Sequence, residues 1–167
     1  KKGEEDPFLS LKTRTARLKG DWKISQASWQ EADSSAAYSN GQLSIVVPSF
    51  DESEIEASFN YSFDRQGSYQ INRSINYPDN WLGTQSPRFT ENYEETGIWQ
   101  FTGGAGDSKS KSQLLLLPDK IQNSRFIGSA LDITSYSGQY EGRVYDIVKL
   151  TDSEVILEYD REKADDT

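Results

Sequence analysis

Apolar and polar residues alternate along much of this chain, and the alternation is strongest between positions 58 and 77. On both sides of the turn residues 64–67, every second position is apolar or Arg: Phe59, Tyr61, Phe63, Tyr69, Ile71, Arg73, Ile75 and Tyr77. The positions between them are Ser, Asn and Gln. Because successive side chains of a strand point to opposite faces, this pattern predicts an antiparallel hairpin that is buried on one side.

Shorter apolar runs predict the remaining strands, at residues 22–29, 43–47, 97–101, 113–117, 124–134, 143–150 and 154–161. The polar residues 31–42 and residues 81–92 predict connections, and the glycine-rich residues 103–109 predict a hairpin tip. About eight strands joined mainly as hairpins indicate an all-β fold. We predict an antiparallel up-and-down barrel, because closing the sheet removes its exposed edges.

A short helix is predicted before the first strand. Phe8, Leu9, Leu11 and Leu18 form an apolar stripe, and Gly20 is suited to ending the helix. We expect this helix to cover one end of the barrel.

The composition fits one folded domain. The chain has 167 residues, and 12% of them are aromatic, which is typical of a sequence that buries a core. We therefore assign residues 8–167 to a single domain. The net charge of -9 argues against nucleic acid or an anionic membrane surface as a partner, because both are negatively charged.

The residue types exclude several kinds of chemistry. The chain has no cysteine and no histidine, so it lacks disulfides, thiolate nucleophiles, imidazole bases and the two commonest zinc ligands. Residues 103–110 lack the spacing of a phosphate-binding loop, and residues 51–54 lack that of a calcium loop. We predict no enzyme activity, no cofactor and no metal, although a pair of carboxylates could still hydrolyse a glycoside.

Gly20, Asp21 and Trp22 follow the predicted helix and open the first strand. They resemble the Gly-x-Trp signature of lipocalins. The resemblance implies that Trp22 plugs the closed end of the barrel and packs under an arginine near the last strand. Arg161 is the best positional candidate for that arginine, and Arg143 and Arg125 are alternatives.

Lys2 is followed by Glu4, Glu5 and Asp6, which is similar to the acidic signal of surface lipoproteins in Bacteroidetes. Together with the helix, Gly20 to Trp22, residues 97–101 and the last hairpin, this tract resembles the lipocalin-like lipoproteins of that group. The resemblance implies that residues 1–7 are a flexible tether after a removed lipoprotein signal, with the lipid-bearing cysteine just before Lys1. It also implies an outer membrane lipoprotein, at the cell surface or the periplasmic face, that touches the membrane only through its lipid anchor.

Two functional hypotheses follow for such a barrel. The first is a noncatalytic module that binds a small, partly apolar ligand in its interior, entering opposite Trp22. The candidate ligand-binding residues are Tyr61, Phe63, Tyr69, Ile71, Arg73, Trp99 and Phe101. The alternative is a structural or interaction protein with a filled barrel and no ligand, in which Trp29, Trp81 and the long loops contact another envelope protein.

Overall fold

The computed structural model of the protein describes residues 12–47, 50–81, 85–103, 112–127, 130–138 and 140–159. Within them lie one helix and eleven strands, all paired antiparallel. The elements are α1 (Arg14–Leu18), β1 (Gly20–Lys23), β2 (Gln26–Glu31), β3 (Ser34–Ser39), β4 (Gln42–Val47), β5 (Phe50–Phe63), β6 (Ser68–Tyr77), β7 (Phe89–Thr102), β8 (Gln113–Ile127), β9 (Ala130–Ser137), β10 (Arg143–Leu150) and β11 (Val155–Glu158).

The helix is one short turn with defined ends. Thr13 caps its N-terminus by accepting a hydrogen bond from the amide of Ala16. The chain then leaves the helix through Gly20, whose φ of +135° lies in a region that favours glycine. The sequence therefore identified the residue that lets the chain turn from α1 into β1.

Nine strands form one continuous path in the order β11-β10-β8-β7-β6-β5-β4-β3-β2. The long strands β5 and β8 each have two partners on their outer side. β5 pairs with β4 near its start and with β1 near its end, and β8 pairs with β10 near its start and with β9 near its end. The sheet is a curled half-barrel, and in the described residues no ladder joins β2 to β9 or β11.

The two ends of the long strands have different neighbours. We call the end flanked by α1, β1, β10 and β11 the helix end, and the end flanked by β2, β3, β4 and β9 the far end. The core of the helix end consists of Leu18, Phe63, Tyr69, Ile71, Trp99, Leu114, Leu116, Ile147 and Leu150. A smaller core at the far end consists of Tyr38, Leu43, Ile55 and Ile75.

The predicted all-β, antiparallel architecture is confirmed, as are the central hairpin and the last hairpin. Four local predictions were wrong. The single strand predicted at residues 22–29 is two strands, β1 and β2, with different partners. Residues 31–42 contain β3, β7 begins at Phe89 inside the predicted connection, and the single strand predicted at residues 124–134 is the end of β8 and the start of β9. In these segments Ser, Asn, Glu and Ala obscure the alternation of apolar and polar residues. The segments form strands because they pair with neighbouring strands, not because of their side-chain types.

Candidate functional site

The inner face of the sheet carries a polar band between the two cores. The register of β6, β7, β8 and β9 sets side chains of the four strands in rows across this face. One row is Arg73, Tyr93, Asn123 and Thr134, and the next row toward the far end is Ile75, Glu91, Arg125 and Asp132. Because residues two apart on a strand share a face, these rows are neighbours.

A depression with a volume of about 410 Å³ lies over these two rows. Its lining consists of Arg73, Glu91, Tyr93, Asn123, Ser124, Arg125, Asp132 and Thr134. No aliphatic residue belongs to this set, and Tyr93 is its only aromatic member. The depression is therefore a polar surface inside a fold whose other inner-face regions are apolar.

Glu91 lies between two guanidinium groups in the depression. Its Oε2 accepts a hydrogen bond of 3.2 Å from Nη2 of Arg125, and its Oε1 lies 3.6 Å from Nη2 of Arg73. Glu91 and Arg125 are directly opposite in the β7–β8 ladder, so the register itself brings them together. The side chains are partly exposed, so the pairs order the site more than they stabilise the fold.

Both arginines also lie over aromatic rings. The guanidinium of Arg73 lies 4.9 Å from the ring centre of Tyr93, and that of Arg125 lies 5.2 Å from the ring centre of Phe89. Such contacts fix the plane of a guanidinium while its edge still donates hydrogen bonds. In the described residues the Nε of Arg73 is buried without a hydrogen-bond partner. Arg73 thus has a donor that its protein neighbours do not satisfy.

A buried carboxylate lies beneath the depression, on the side of the helix end. Glu95 is only 1% exposed and accepts hydrogen bonds from Arg143 and from the hydroxyls of Tyr69 and Tyr93. The Tyr69 hydroxyl lies 2.6 Å from Oε1 of Glu95. A buried charge is tolerated when it is paired and hydrogen-bonded in this way. Through Tyr93, this cluster also positions the ring on which Arg73 lies.

Gly97 makes room for that cluster. A β-carbon at this position would lie 2.2 Å from the carbonyl oxygen of Leu117 and 2.8 Å from Cε1 of Tyr69. The β7–β8 register also shifts here, between Thr96 and Gly97. The absence of a side chain at 97 allows the Tyr69 ring to cross β7 and reach Glu95.

The tyrosines around Glu95 are held in their neutral form. Burial raises the pKa of Tyr61 to about 12. Burial, then the hydrogen bond to Glu95 and its negative charge, raises the pKa values of Tyr69 and Tyr93 well above the ordinary range. Burial likewise raises the pKa of Tyr145. At neutral pH these hydroxyls are therefore hydrogen-bond donors.

Aromatic side chains border the depression toward the far end. Tyr77 stacks on Phe89 with ring centres 4.7 Å apart, and Trp81 lies 4.7 Å from Tyr77 on its other side. Phe89 is buried, whereas Tyr77 and Trp81 are half-buried. Tyr77 and Phe89 form the next row toward the far end, outside the lining of the depression.

Most candidate ligand-binding residues from the sequence lie elsewhere. Phe63, Tyr69, Ile71 and Trp99 are buried in the core of the helix end, and Tyr61 and Phe101 pack against it. The guanidinium of Arg14 lies 5.8 Å from the ring centre of Phe101. Of the seven candidates, only Arg73 lines the depression. The other six form or pack against the core of the helix end, and Arg73 contacts different residues.

The end that carries Gly20 to Trp22 packs on the larger core, and a second depression of about 420 Å³ lies on its surface around α1 and β1. Trp22 is half-buried, packs against the core of the helix end, and donates a hydrogen bond of 2.7 Å from its indole to the carbonyl of Leu18. Arg161 lies outside the described residues. The other two arginines considered from the sequence, Arg143 and Arg125, bind Glu95 and Glu91. The buried arginine at this end is Arg17, which donates a hydrogen bond of 3.0 Å to the carbonyl of Leu150.

Sequence reasoning missed the residues of β7 that form the site, Glu91, Tyr93 and Glu95. The signal was present, because the alternation of Gly97, Trp99 and Phe101 continues backward through 95, 93, 91 and 89. Charged residues at inward positions obscured it. The β7–β8 register places Arg125 opposite Glu91, and a side-chain contact between the unpaired strands β10 and β7 places Arg143 against Glu95.

The described residues contain no cluster of three or more Asp and Glu residues arranged to hold a metal ion. No helix in the described part of the chain has the length and apolarity needed to cross a membrane. No family model matches the chain, and no curated protein or solved structure matches it either.

Proposed function

We propose that the protein is a noncatalytic binding module that holds a small molecule in the polar depression on the inner face of its sheet. The observation that carries this proposal is the ordered arrangement of Arg73, Glu91 and Arg125 in a depression on the inner face, where ion pairs and aromatic rings hold partly exposed polar side chains in place. Its volume of about 410 Å³ is in the range of small-molecule sites. The sequence predicted a ligand among residues that include Phe63, Tyr69, Ile71 and Trp99. We instead propose that the ligand binds beside Arg73.

The lining favours binding over catalysis. Its hydroxyl side chains Ser124 and Thr134 donate no hydrogen bond to a base within the described residues. Its carboxylate Glu91 is shared by two arginines. A serine or threonine nucleophile requires an adjacent base, and none is assembled beside Ser124 or Thr134 in the described residues.

The finer fold prediction, a closed lipocalin-like barrel of eight strands, belongs to this proposal. At the far end the strands from β2 to β9 are neighbours in chain order, which is an up-and-down meander of eight strands. β2 and β9 are both exposed along their whole length, and closure requires that they approach each other. Because the chain has no cysteine, spin labels at Gln30→Cys and Ser135→Cys would report their separation directly. A broad, long distance distribution would contradict closure.

A lipid-anchored location at the cell envelope is also a proposal. It is supported by the sequence resemblance of the tract from Lys2 to Asp6, which lies outside the described residues. Labelling of the full-length gene product with palmitate in its own host should give a labelled protein. An unlabelled product would remove the membrane anchor from the proposal.

Binding is tested with four soluble probes: maltose, glucuronate, phenylacetate and 1-anilinonaphthalene-8-sulfonate. Amide resonances of residues 91–93, 123–125 and 132–134 are followed by nitrogen-proton correlation spectra. Saturable shifts confined to these residues, weakened about tenfold or more by Arg125→Gln and retained in Arg88→Gln, are expected. Arg88 is a suitable control because it forms its ion pair with Asp79 at the surface, outside the depression. Absence of saturable shifts with all four probes would overturn the proposed function.

The alternative, an interaction protein, is favoured by one feature of the outer face. Phe126, Leu131 and Ile133 are exposed and lie together there, since Phe126 pairs with Leu131 and Ile133 is two residues further along β9. In the described residues β9 pairs only with β8, which leaves one edge of β9 for an added strand. We assign this edge to an extended basic segment of an envelope protein, given the net charge of -9. Cross-linking in cells that is lost in Ile133→Lys, with probe binding absent, would support this alternative.

A further inference from the structure

The charges that line the depression cancel. Arg73 and Arg125 contribute two positive charges, and Glu91 and Asp132 contribute two negative charges. The pair of Glu95 and Arg143 beneath them is also neutral in sum. The whole chain carries -9, so an anionic ligand is repelled at long range and meets no excess of positive charge at the site. A cationic ligand is attracted at long range but likewise meets no excess of negative charge at the site. The balance therefore favours an uncharged ligand.

The lining also presents donors and acceptors next to each other. Guanidinium groups only donate and carboxylates only accept, whereas Asn123 and Thr134 do both. A hydroxyl group both donates and accepts, so a ligand with several adjacent hydroxyls satisfies neighbouring Arg and Glu side chains at once. An apolar ligand would leave these groups desolvated and unpaired.

The border of the depression suits the remaining part of such a ligand. A saccharide ring has hydroxyl edges and a face of C–H groups. The half-buried rings of Tyr77 and Trp81 pack against the small core outside the lining, and they are the apolar surface that follows the polar rows toward the far end. Tyr93 is held in place by Glu95 and Arg73. Rigid aromatic side chains limit the conformational entropy lost on binding.

Resting on the proposed function, we propose that the ligand is an uncharged saccharide, with its hydroxyls bound by Arg73, Arg125, Glu91 and Asn123 and its C–H face toward Tyr77 and Trp81. The polarity of the lining selects against apolar molecules. The charge balance selects against carboxylates and phosphates. The volume of about 410 Å³ admits a short saccharide.

The same four probes separate this inference from the proposed function. Maltose should shift the amides of residues 91–93, 123–125 and 132–134 saturably, and its affinity should change less than about twofold between 0.05 and 0.5 M NaCl, because no net charge is paired. Glucuronate should bind at least about tenfold more weakly than maltose. Phenylacetate and the sulfonate should not shift these amides.

Variants give a second readout. Arg125→Gln should weaken maltose binding about tenfold or more, since it removes a charged donor, and Asn123→Ala should weaken it about fivefold. Arg88→Gln should leave it unchanged, and unchanged spectra for the helix end will show that each variant is folded. Binding of a charged or apolar probe at these amides without maltose would overturn the saccharide assignment and retain the binding module. Binding of none of the four probes would overturn both.

Discussion

The helix end and the far end are built on the same four long strands, yet the described residues form a larger core at the helix end than at the far end. At the helix end, α1 and β10 supply Leu18, Ile147 and Leu150, which complete a core with residues of β5 to β8. At the far end, the β2–β4 side contributes the small core around Tyr38 and Leu43, whereas β9 is exposed along its length. The inner face beside β9 therefore carries the polar depression.

This difference shows that the flanking elements decide whether an inward-facing residue of a long strand is buried in a core or lines the depression. Tyr69 and Arg73 belong to the same alternating face of β6, four residues apart. Tyr69 lies under the elements of the helix end and is buried, whereas Arg73 lies beyond them and lines the depression. An inward-facing side chain is buried only where a neighbouring element packs over it.

The largest difference between the two ends is expected for core leucines. Leu116→Ala should lower the free energy of unfolding by about 4 kcal/mol, because this side chain is completely buried in the larger core. Leu43→Ala in the small core should cost about 2 kcal/mol. Urea titration of both variants measures the values. Equal losses would contradict the view that the helix end holds the main core.

Two tryptophans provide a second comparison. Trp22→Ala should cost about 3 kcal/mol, because it removes half-buried core contacts and the hydrogen bond to Leu18. Trp29 is 50% exposed on the edge strand β2, so Trp29→Ala should cost less than about 1 kcal/mol. If Trp29→Ala is the more damaging change in denaturant titration, β2 has a packed neighbour and the far end is closed.

The Glu95 cluster lies between the two ends, and Glu95→Gln tests whether it stabilises the fold. We expect a loss of about 2 kcal/mol, below the usual cost for a fully buried pair, because Arg143 remains 31% exposed to water. Glu94→Gln is the matched control, since Glu94 is the exposed neighbour on the other face. Thermal unfolding of the two variants gives the comparison, and a loss for Glu95→Gln no larger than the control would rule out a structural role.

The tyrosines of this region predict a dependence on alkaline pH. Tyr61 has a pKa raised to about 12 in the folded protein, against 10 when exposed, because burial disfavours the charged phenolate. Its contribution to stability is thus fully present below pH 10 and is lost as the pH rises from 10 to 12. Urea unfolding at pH 8, 9, 10 and 11 should show no change from these groups up to pH 9 and a decline afterwards. Phenolate absorbance at these tyrosines below pH 10 would contradict their burial.

The smallest stability effect is expected in the depression itself. Arg125→Gln should lower the free energy of unfolding by less than about 1 kcal/mol, because its ion pair with Glu91 is partly exposed. The same substitution should strongly weaken probe binding. A large loss of stability in chemical denaturation would make Arg125 part of the fold's framework and would weaken its assignment to a ligand site.

The sequence by itself determined the strand-rich antiparallel architecture, the central and last hairpins, and the helix ending before Gly20. Each depends on local information: a period of two, turn residues between strands, and a glycine at a positive φ. The exclusion of thiol and imidazole chemistry is equally local, since it follows from residues that the chain does not contain.

Only the tertiary structure decided which inward residues are packed and which face open space. Phe63, Trp99 and Arg73 look equivalent along the sequence, but long-range pairing places the first two in the core with α1 and β10 and leaves the third in the depression. The match of Glu91 with Arg125, and of Glu95 with Arg143, joins positions 34 and 48 residues apart. Register and strand order set such pairs, and these depend on the whole sheet rather than on any one segment.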